Sequence, residues 1–496
     1  MRALVAWSLG IAAGIFGLTA AAGLTGSRWA AILIAAVVAG LVGLLVYRRP
    51  IVPLDEAACS PGLKAVSGLA TIGALVQIAR LAVFMVDPSQ VGYSAVPTSQ
   101  WEVQHSCLSA YFVSAQALSS APNIYDDSLY SMPDDDPAGP RKARMIGPFK
   151  IDVFEYPPPF LLLPRTLAPL TPDFMSLRRL WFGLNGGVVL LALLVMARFL
   201  GPAAGTRALL LSPLVWLALP TLSVLQKGNV QTMVIAAAML AMALFERKRF
   251  AAGGVLLAFA TVSKLYPGML VVYLLARRQW RAMAWTAAMA VAFTVLTFVE
   301  FGWAPYAAFL DHLPGLLGGE AFPAFRNPAA IAINFSIPGL VFKLKLFGVP
   351  GMSFGAAKIL GWIYTLVAVG VTVYAGLKTL RDEERPLVWL AILILATLRS
   401  PFLPQAYAAF PPLWLLTLLA ANAVATTKTL LWVLLAWAGL NLYWPIDWVV
   451  DPRLLAAANA VPQALTIVLA ALVFRALQRS ENDRARLLVA TDPGRL

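Results

Sequence analysis

The chain has 496 residues, of which 60% are hydrophobic and 12% are charged, and its net charge is +14. A soluble domain has roughly 25% charged residues, so this composition excludes an ordinary soluble protein. The basic residues lie mainly beside apolar segments. This is typical of membrane proteins and does not indicate a nucleic-acid partner.

Apolar segments of about 20 residues, the length that crosses a hydrocarbon core as an α-helix, recur along the chain. They predict an all-α polytopic membrane protein with about twelve transmembrane helices. The spans are predicted at 3–24, 29–47, 64–86, 180–199, 207–222, 229–245, 281–300, 355–377, 386–399, 406–421, 429–445 and 454–475. The first segment also has features of a signal peptide, but its length and the second span directly after it favour a retained helix.

Basic residues collect at one set of span ends. By the positive-inside rule this side is cytoplasmic, so both termini are predicted in the cytoplasm. The basic positions are Arg48 and Arg49, the cluster at 246–249, Arg277, Arg278 and Arg281, Arg381 and Arg385, Lys428, and Arg475 and Arg479. The same topology puts Cys59 and Cys107 on opposite sides of the membrane, and we expect no disulfide between them.

Two long polar stretches, 87–179 and 301–353, are predicted on the outer face. The first contains a moderately apolar segment at 108–118 and a proline-rich segment at 156–170. Proline and glycine also interrupt the apolar parts of the second stretch. We therefore expect helices that lie on the outer surface rather than further spans.

Residues 251–276 are apolar but contain Lys264 and Pro267. As one span, this segment would place the arginines that follow it outside, against the positive-inside rule. As two half-helices that meet at Pro267, which cannot donate a backbone hydrogen bond, it returns both ends to the cytoplasm. We favour this re-entrant hairpin over a single span.

Lys264 lies in the middle of this apolar segment, where inserting a charged side chain costs about 2.5–3.5 kcal/mol. This cost favours a cation that faces a polar cavity and binds an anion over one that snorkels to the interface. Arg399 and Lys227 lie at outer span ends, where ordinary flanking charges also occur. Arg326 and Lys343 lie in the second outer stretch. Together, these five cations predict an outer face that binds a phosphate or diphosphate.

Asp87, Glu102 and His105 are candidate proton acceptors in the first outer stretch. A carboxylate or imidazole near the membrane surface can take the proton of an acceptor hydroxyl as a general base. An ordinary solvated side chain is an equally good explanation for each. The sequence has no nucleotide-phosphate loop, paired-cysteine metal motif, zinc-binding helix motif or nucleophile elbow.

Five segments, in order, resemble motifs of polytopic glycosyltransferases of the GT-C fold, and most of all glycosyltransferase family 87. That family includes polyprenol-phosphate-mannose-dependent alpha-mannosyltransferases. The segments are AYFVSAQALSSAPNIYD at 110–126, FEYPPPFLLL at 154–163, GNVQ at 228–231, the block 252–281 with Lys264, Pro267 and Trp280, and NFSIPGL at 334–340. Cys107 occupies the place of an Asp that is thought to be the family's base. Asp87, Glu102 and His105 are the available substitutes.

The resemblance implies transfer of a sugar, mannose or another hexose or pentose, from a polyprenyl-phosphate donor to a cell-envelope lipid or glycan. The donor phosphate would meet Lys264, Arg399 or other cations, and one direct displacement would invert the anomeric centre. No cofactor or metal is expected, because cationic side chains can neutralise the phosphate. The site would face the outside of a bacterial inner membrane. The expected cavity residues are Glu155, Tyr156, Asn229, Tyr266, His312 and Gln405.

We expect a two-helix addition at 1–63, a catalytic core at 64–425 that contains both outer stretches, and C-terminal helices with a cytoplasmic tail at 426–496. Two other functions fit the sequence. A secondary transporter or lipid-linked sugar flippase would also need a polar cavity and a charge within the membrane, but its loops would be shorter. The replacement at Cys107 is also consistent with an inactive relative that acts as a scaffold.

Overall fold

A computed structural model of the protein describes residues 1–50, 52–118, 120, 121, 123–133, 142–423, 427–448 and 451–491, with side chains to residue 478. Nearly all of the regular secondary structure in the described chain is helical. Its first helices are α1 Arg2–Thr25, α2 Arg28–Arg48, α3 Pro61–Val86, α4 Gln100–Gln104, α5 Cys107–Ala117, α6 Leu162–Leu167, α7 Phe174–Phe199, α8 Gly201–Leu211, α9 Pro213–Leu217, α10 Leu219–Lys227 and α11 Gln231–Glu246. They are followed by α12 Phe250–Ser263, α13 Met269–Ala276, α14 Trp280–Phe301, α15 Ala304–Gly318, α16 Pro328–Ala332, α17 Leu340–Leu346, α18 Phe354–Leu377, α19 Arg385–Thr397, α20 Gln405–Ala408, α21 Phe410–Asn422, α22 Thr427–Leu440 and α23 Pro452–Thr491.

The all-α polytopic membrane class is confirmed, but the predicted number of spans is too high. Within the described ranges, seven helices are long and apolar enough to cross a membrane, or eight if the bent pair Gly201–Leu217 and Leu219–Lys227 is one span. The seven are α1, α2, α3, α7, α14, α18 and the Pro452–Gln478 part of α23. Helices α11, α19, α21 and α22, at four of the remaining predicted spans, have at most 16 residues. At 1.5 Å per residue, about 16 residues extend only about 24 Å.

Helix α1 packs closely on α7 through glycines. A Cβ on Gly183 would lie 2.4 Å from the Phe16 carbonyl oxygen, and one on Gly23 would lie 2.4 Å from that of Ser176. Small residues allow this approach of two helix backbones, which is how packing holds helices together in lipid. The N-terminal helices are thereby fixed to the rest of the bundle.

The segment after α11 folds back on itself. Gly254 in the first turns of α12 lies against the backbone of Trp285 in the first turns of α14, where an added Cβ would meet the Trp285 carbonyl carbon at 2.8 Å. Helix α13 ends at Ala276, directly before α14 begins. Both ends of the segment therefore lie at the same end of the bundle, as the hairpin predicts. Lys264 lies at the break between its two halves, with an extended backbone.

The long stretch between α3 and α7 contains a small sheet that was not predicted. Its strands are β1 His105–Ser106, β2 Met145–Ile146 and β3 Phe149–Ile151, in the order β1-β3-β2. Strand β1 runs parallel to β3, with His105 opposite Lys150. This pairing brings the start of α5 beside the residues that follow β3.

The two surface-lying segments predicted in this stretch are helical, and the first segment and the start of the second contain many buried residues. Helix α5 corresponds to the predicted segment 108–118, and Tyr111 within it is fully buried. The proline-rich segment forms a 3-10 helix at Pro158–Leu161, α6, and a 3-10 helix at Ala168–Leu170. All four residues of Pro158–Leu161 are buried. The first prolines of this segment thus lie in tight turns packed against the bundle, whereas Leu170 at its end is exposed.

Arg178 joins this stretch to the bundle. Its guanidinium lies between the rings of Phe84 and Phe149, 4.9 and 4.4 Å from their centres. It also donates hydrogen bonds to the carbonyls of Phe84 and Met85 in the last turn of α3. These carbonyls have no partner within their own helix, so Arg178 caps α3 while it holds β3 in place.

Candidate active site

Three chemically different side chains meet where β1 and β3 lie side by side. The His105 Nε2 atom lies 3.5 Å from the Cys107 Sγ atom and 3.5 Å from the Asp152 Oδ2 atom. His105 stacks on Trp101 with ring centres 4.6 Å apart, which fixes the plane of the imidazole. The side chain of Asp152 is 31% exposed, whereas that of His105 is 9% exposed. Asp152 is thus the most accessible of the three.

Cys107 is held in this group by two further contacts. Its Sγ atom lies 2.9 Å from the Tyr407 hydroxyl, and the Asn229 side-chain amide donates to it over 3.3 Å. Burial, reinforced by the charge of Asp152, raises the pKa of the Cys107 thiol to about 12. Without a further positive partner, Cys107 is therefore a neutral thiol at physiological pH.

Asn229 is positioned by a tight turn between α10 and α11. Gly228 adopts φ 68°, a left-handed conformation that glycine tolerates best. A Cβ at this position would also lie 3.1 Å from the Cβ of Leu108. The turn therefore requires glycine both for its backbone angle and for its contact with α5, and it directs Asn229 toward Cys107.

Tyr156 connects this group to Lys264. The Asn229 amide also lies within 3.4 Å of the Tyr156 hydroxyl, and Tyr111 donates to that hydroxyl over 2.9 Å. The Lys264 ammonium lies over the Tyr156 ring, 5.0 Å from its centre. Lys264 also lies close enough to Cys107 and Glu155 for electrostatic interaction. The cation at the hairpin break thus faces the protein interior and the cluster of His105, Cys107, Asp152 and Tyr407 (the Cys107 group).

Glu102 and Lys227, predicted as base and phosphate ligand, bind each other instead. Their side chains are 1% and 4% exposed and form an ion pair of 2.6 Å. The Glu102 carboxylate also accepts hydrogen bonds from Ser223 over 2.6 Å and Tyr443 over 2.5 Å. Burial opposes ionisation of Glu102, but Lys227 and these hydrogen bonds outweigh it and lower the carboxyl pKa. Neither charge remains available for a substrate, so both predicted roles are corrected to a structural ion pair.

Asp87, the other predicted carboxylate base, lies apart from this site. It forms the C-cap of α3 and accepts hydrogen bonds from the backbone and hydroxyl of Ser89 within its own turn. These bonds lower the pKa of its carboxyl group. Asp87 is thus an ionised residue of an exposed turn, and its contacts do not include the Cys107 group.

The other predicted phosphate ligands lie in different surroundings. Arg399 donates to Thr365 over 2.6 Å and lies over the Trp362 ring. Lys343 is buried, donates to Gln463 over 3.1 Å, and has a pKa lowered to about 7 by burial. Arg326 is exposed and ends the 3-10 helix Pro323–Arg326. Of the predicted cations, Lys227 and Lys264 lie close enough to Cys107 for electrostatic interaction, and Lys227 is already paired with Glu102.

The predicted cavity residues divide into two sets. Glu155, Tyr156 and Asn229 lie around Lys264 and Cys107, as described above. His312 stacks on Tyr125 at 4.9 Å, and the Tyr125 hydroxyl donates to the Tyr156 carbonyl over 2.7 Å.

Tyr266 and Gln405 form the second set. Tyr266 begins a 3-10 helix two residues after Lys264. Gln405 is fully buried, accepts a hydrogen bond from Asn459 and donates one to the Leu442 carbonyl. Its contacts are those of a structural amide, although it lies two residues before Tyr407.

Sequence reasoning missed two members of the group, Asp152 and Tyr407. Asp152 is brought to His105 only by the pairing of β1 with β3, which are two and three residues long. Strands this short have no recognisable periodicity. Tyr407 lies at the start of a predicted span and has no nearby charged residue in the sequence to mark it.

The model of glycosyltransferase family 87 matches residues 154–403, which is half of the chain. No curated protein and no solved structure matches. The matched region contains Tyr156, Asn229 and Lys264. His105, Cys107 and Asp152 precede it.

Proposed function

Since the chain belongs to glycosyltransferase family 87, we propose that it transfers a sugar from a polyprenyl-phosphate donor to a lipid or glycan acceptor of the cell envelope. One observation carries this proposal: the Lys264 ammonium and the Asp152 carboxylate belong to one connected site. The connection runs from Lys264 through Tyr156 and Asn229 to Cys107 and His105. A transferase of this class needs both a cation for the leaving phosphate and an acceptor for a proton.

Lys264 is the proposed ligand of the donor phosphate. Lys264 is half-buried and its ammonium lies over the Tyr156 ring, where an added anion is bound more strongly than in bulk water. During transfer, negative charge builds on the phosphate oxygen that leaves the sugar. A cation already in place stabilises this charge without reorganisation, which is where such a site gains most of its rate.

Asp152 is the proposed proton acceptor, in place of the Asp that family members have at the position of Cys107. Glu102 is neutralised by Lys227, and Asp87 lies apart, so neither supports this role. In the proposed step, the acceptor oxygen attacks the anomeric carbon while the carbon–phosphate-oxygen bond breaks. The hydroxyl proton passes to Asp152, and polyprenyl phosphate leaves. A single displacement of this kind inverts the anomeric centre.

The proposed location is a bacterial inner membrane, with the site on the outer side and both termini in the cytoplasm. Basic residues support this orientation. Arg277 donates to the carbonyl of Lys378, and Arg385 pairs with Glu246 at the end of α11, so these positions lie at one end of the bundle. An excess of basic residues at one end is typical of the cytoplasmic side.

A transfer assay tests the proposal. Purified full-length protein is incubated with labelled polyprenyl-phosphate mannose, or with other polyprenyl-phosphate hexoses and pentoses, and cell-envelope lipid acceptors. We expect transfer by the wild type, a loss of at least about 100-fold by Lys264→Ala, and little change by Lys345→Ala, which removes an exposed lysine. No transfer from any of these donors would contradict the donor class. Normal transfer by Lys264→Ala would contradict the phosphate site.

A further inference from the structure

We propose that His105, Cys107 and Asp152 bind a transition-metal ion of the zinc type. The three residues offer one nitrogen, one sulfur and one oxygen, and these atoms all lie within 4.8 Å of one another. His105 and Cys107 are buried and Asp152 is partly exposed, so the group is closed on most sides but open on one.

Two of the three distances match those between the ligands of a tetrahedral zinc ion. With zinc–sulfur bonds of about 2.3 Å and zinc–nitrogen or zinc–oxygen bonds of about 2.0–2.2 Å, neighbouring ligand atoms lie about 3.3–3.6 Å apart. The distances from His105 Nε2 to Cys107 Sγ and to Asp152 Oδ2 are both 3.5 Å. The group as a whole extends to 4.8 Å, so its side chains would move closer together on one ion.

The same geometry is unfavourable for a hydrogen-bonded nucleophile. In a nucleophile–histidine–carboxylate triad, the nucleophile and the carboxylate contact opposite nitrogens of the imidazole. Here, the thiol and the carboxylate both face Nε2. The Nε2 atom also lies 3.2 Å from the Tyr407 hydroxyl. The thiol, the carboxylate and this hydroxyl therefore share one ring nitrogen, which has a single hydrogen-bonding position. Convergence of three ligand atoms on one point is the arrangement of a metal site.

The donor set selects the kind of metal. A cysteine sulfur with an imidazole nitrogen suits zinc and similar ions, whereas magnesium and calcium prefer oxygen ligands. Zinc binding would displace the thiol proton, forming a thiolate–zinc bond and releasing one proton to solvent. The metal thus adds a directly bonded positive partner to the thiol, beside the longer-range charges of Lys227 and Lys264.

Surrounding groups already hold the ligands in place. Asn229 donates to the Cys107 sulfur over 3.3 Å, and the Val153 backbone amide donates to Asp152 Oδ1 over 2.9 Å. Trp101 stacks on the His105 ring. Outer contacts of this kind orient metal ligands and tune their basicity.

With three protein ligands, a tetrahedral ion has one position left, as in catalytic zinc sites. At that position a metal lowers the pKa of a bound hydroxyl group. In this protein, the ion would lower the pKa of the acceptor hydroxyl, while Asp152, bound to the ion through Oδ2, would accept the proton on Oδ1. This role rests on the proposed glycosyl transfer, but metal binding itself does not. It also replaces our expectation that the chain needs no metal.

Metal binding is tested on the full-length protein in detergent, with any affinity tag removed. After treatment with a chelator, the wild type should bind one equivalent of Zn²⁺. Co²⁺ in its place should give a thiolate-to-cobalt charge-transfer band. Cys107→Ser should abolish that band and, like Asp152→Asn, weaken Zn²⁺ binding by more than the roughly 10–100-fold that loss of an outer contact costs. Cys59→Ser, which removes the other buried free cysteine, should bind as the wild type does.

Two results would overturn the metal site: no stoichiometric binding by the wild type, or equal binding by Cys107→Ser, Asp152→Asn and the wild type, which identifies an adventitious ion only. Unchanged thermal unfolding of the metal-free Asp152→Asn protein shows that its loss of binding is not a loss of fold. Because metal is measured without a sugar donor, failure here leaves the transfer proposal standing. Loss of transfer activity alone leaves the metal site standing.

Discussion

The ammonium of Lys264 lies 5.0 Å from the centre of the Tyr156 ring, although the two residues come from distant segments of the chain. The face of an aromatic ring attracts a cation by about 0.5–2 kcal/mol, depending on how far water is excluded. Tyr156 also binds the Asn229 amide, which in turn binds Cys107. The ring therefore fixes the lysine beside the Cys107 group rather than in lipid.

Replacing Tyr156 should separate the effect of its ring from that of its hydroxyl. Tyr156→Phe keeps the ring beneath Lys264 and should retain most of the transfer activity. Tyr156→Ala removes the ring and should lower kcat/KM at least about tenfold, since about 1.4 kcal/mol corresponds to a factor of ten. The measurement is the initial rate of sugar transfer over a range of donor concentrations. Equal rates for both variants would contradict a positioning role for the ring.

Asp152→Asn should lower the transfer rate by about 10²–10⁴-fold, the usual contribution of a general base. Asp87→Asn is the matched control, because Asp87 is exposed and its hydrogen bonds are made within its own turn. Transfer assays of both variants, with the same donor and acceptor, make the comparison. A large loss in Asp87→Asn with normal transfer in Asp152→Asn would reverse our assignment of the base.

Lys227→Met should destabilise the protein strongly, because it leaves the Glu102 carboxylate buried without its cation. Breaking a buried ion pair costs about 3–5 kcal/mol. Lys358→Met is the control, since its ion pair with Glu320 is 2.7 Å long but has side chains 47% and 40% exposed. Exposed pairs contribute about 0–1 kcal/mol. Thermal unfolding in detergent measures both, and similar shifts in Tm would contradict the structural role of the buried pair.

The pH dependence of stability should also report on Glu102. Its carboxyl pKa in the folded protein is below the ordinary value of 4.5. The carboxylate therefore contributes its full share of the free energy of unfolding above that value, and this share is lost as the pH falls toward the lower pKa. The Tm difference between the wild type and Glu102→Gln should be constant near neutral pH and shrink in acid. A difference that grows in acid would contradict the lowered pKa.

Composition and hydropathy alone identify the membrane class, and the cost of burying Lys264 marks it as an unusual residue. The number of spans could not be predicted from composition and hydropathy, because apolar composition does not show where a helix bends or ends early. Helices α8 and α9 together form a 64° bend with α10, which the run of apolar residues conceals.

The candidate site depends on contacts between distant residues, which the sequence of each segment does not reveal. Glu102 and Lys227 looked like independent candidates because they are 125 positions apart. Asp152 was missed because it reaches His105 only through the pairing of a two-residue strand, which places His105 opposite Lys150, two residues before Asp152. By contrast, Tyr156 and Asn229 could be predicted, because they lie in motifs that resemble the family.

The most direct test of the account is a cryo-electron-microscopy structure of the protein bound to polyprenyl monophosphate, the product of the proposed transfer. We expect phosphate oxygens within hydrogen-bond distance of the Lys264 ammonium, with Asp152 on the side of the phosphate where the acceptor would bind. A phosphate held by Arg399 or Lys343 instead, with Lys264 remaining on Tyr156 and away from the ligand, would contradict it.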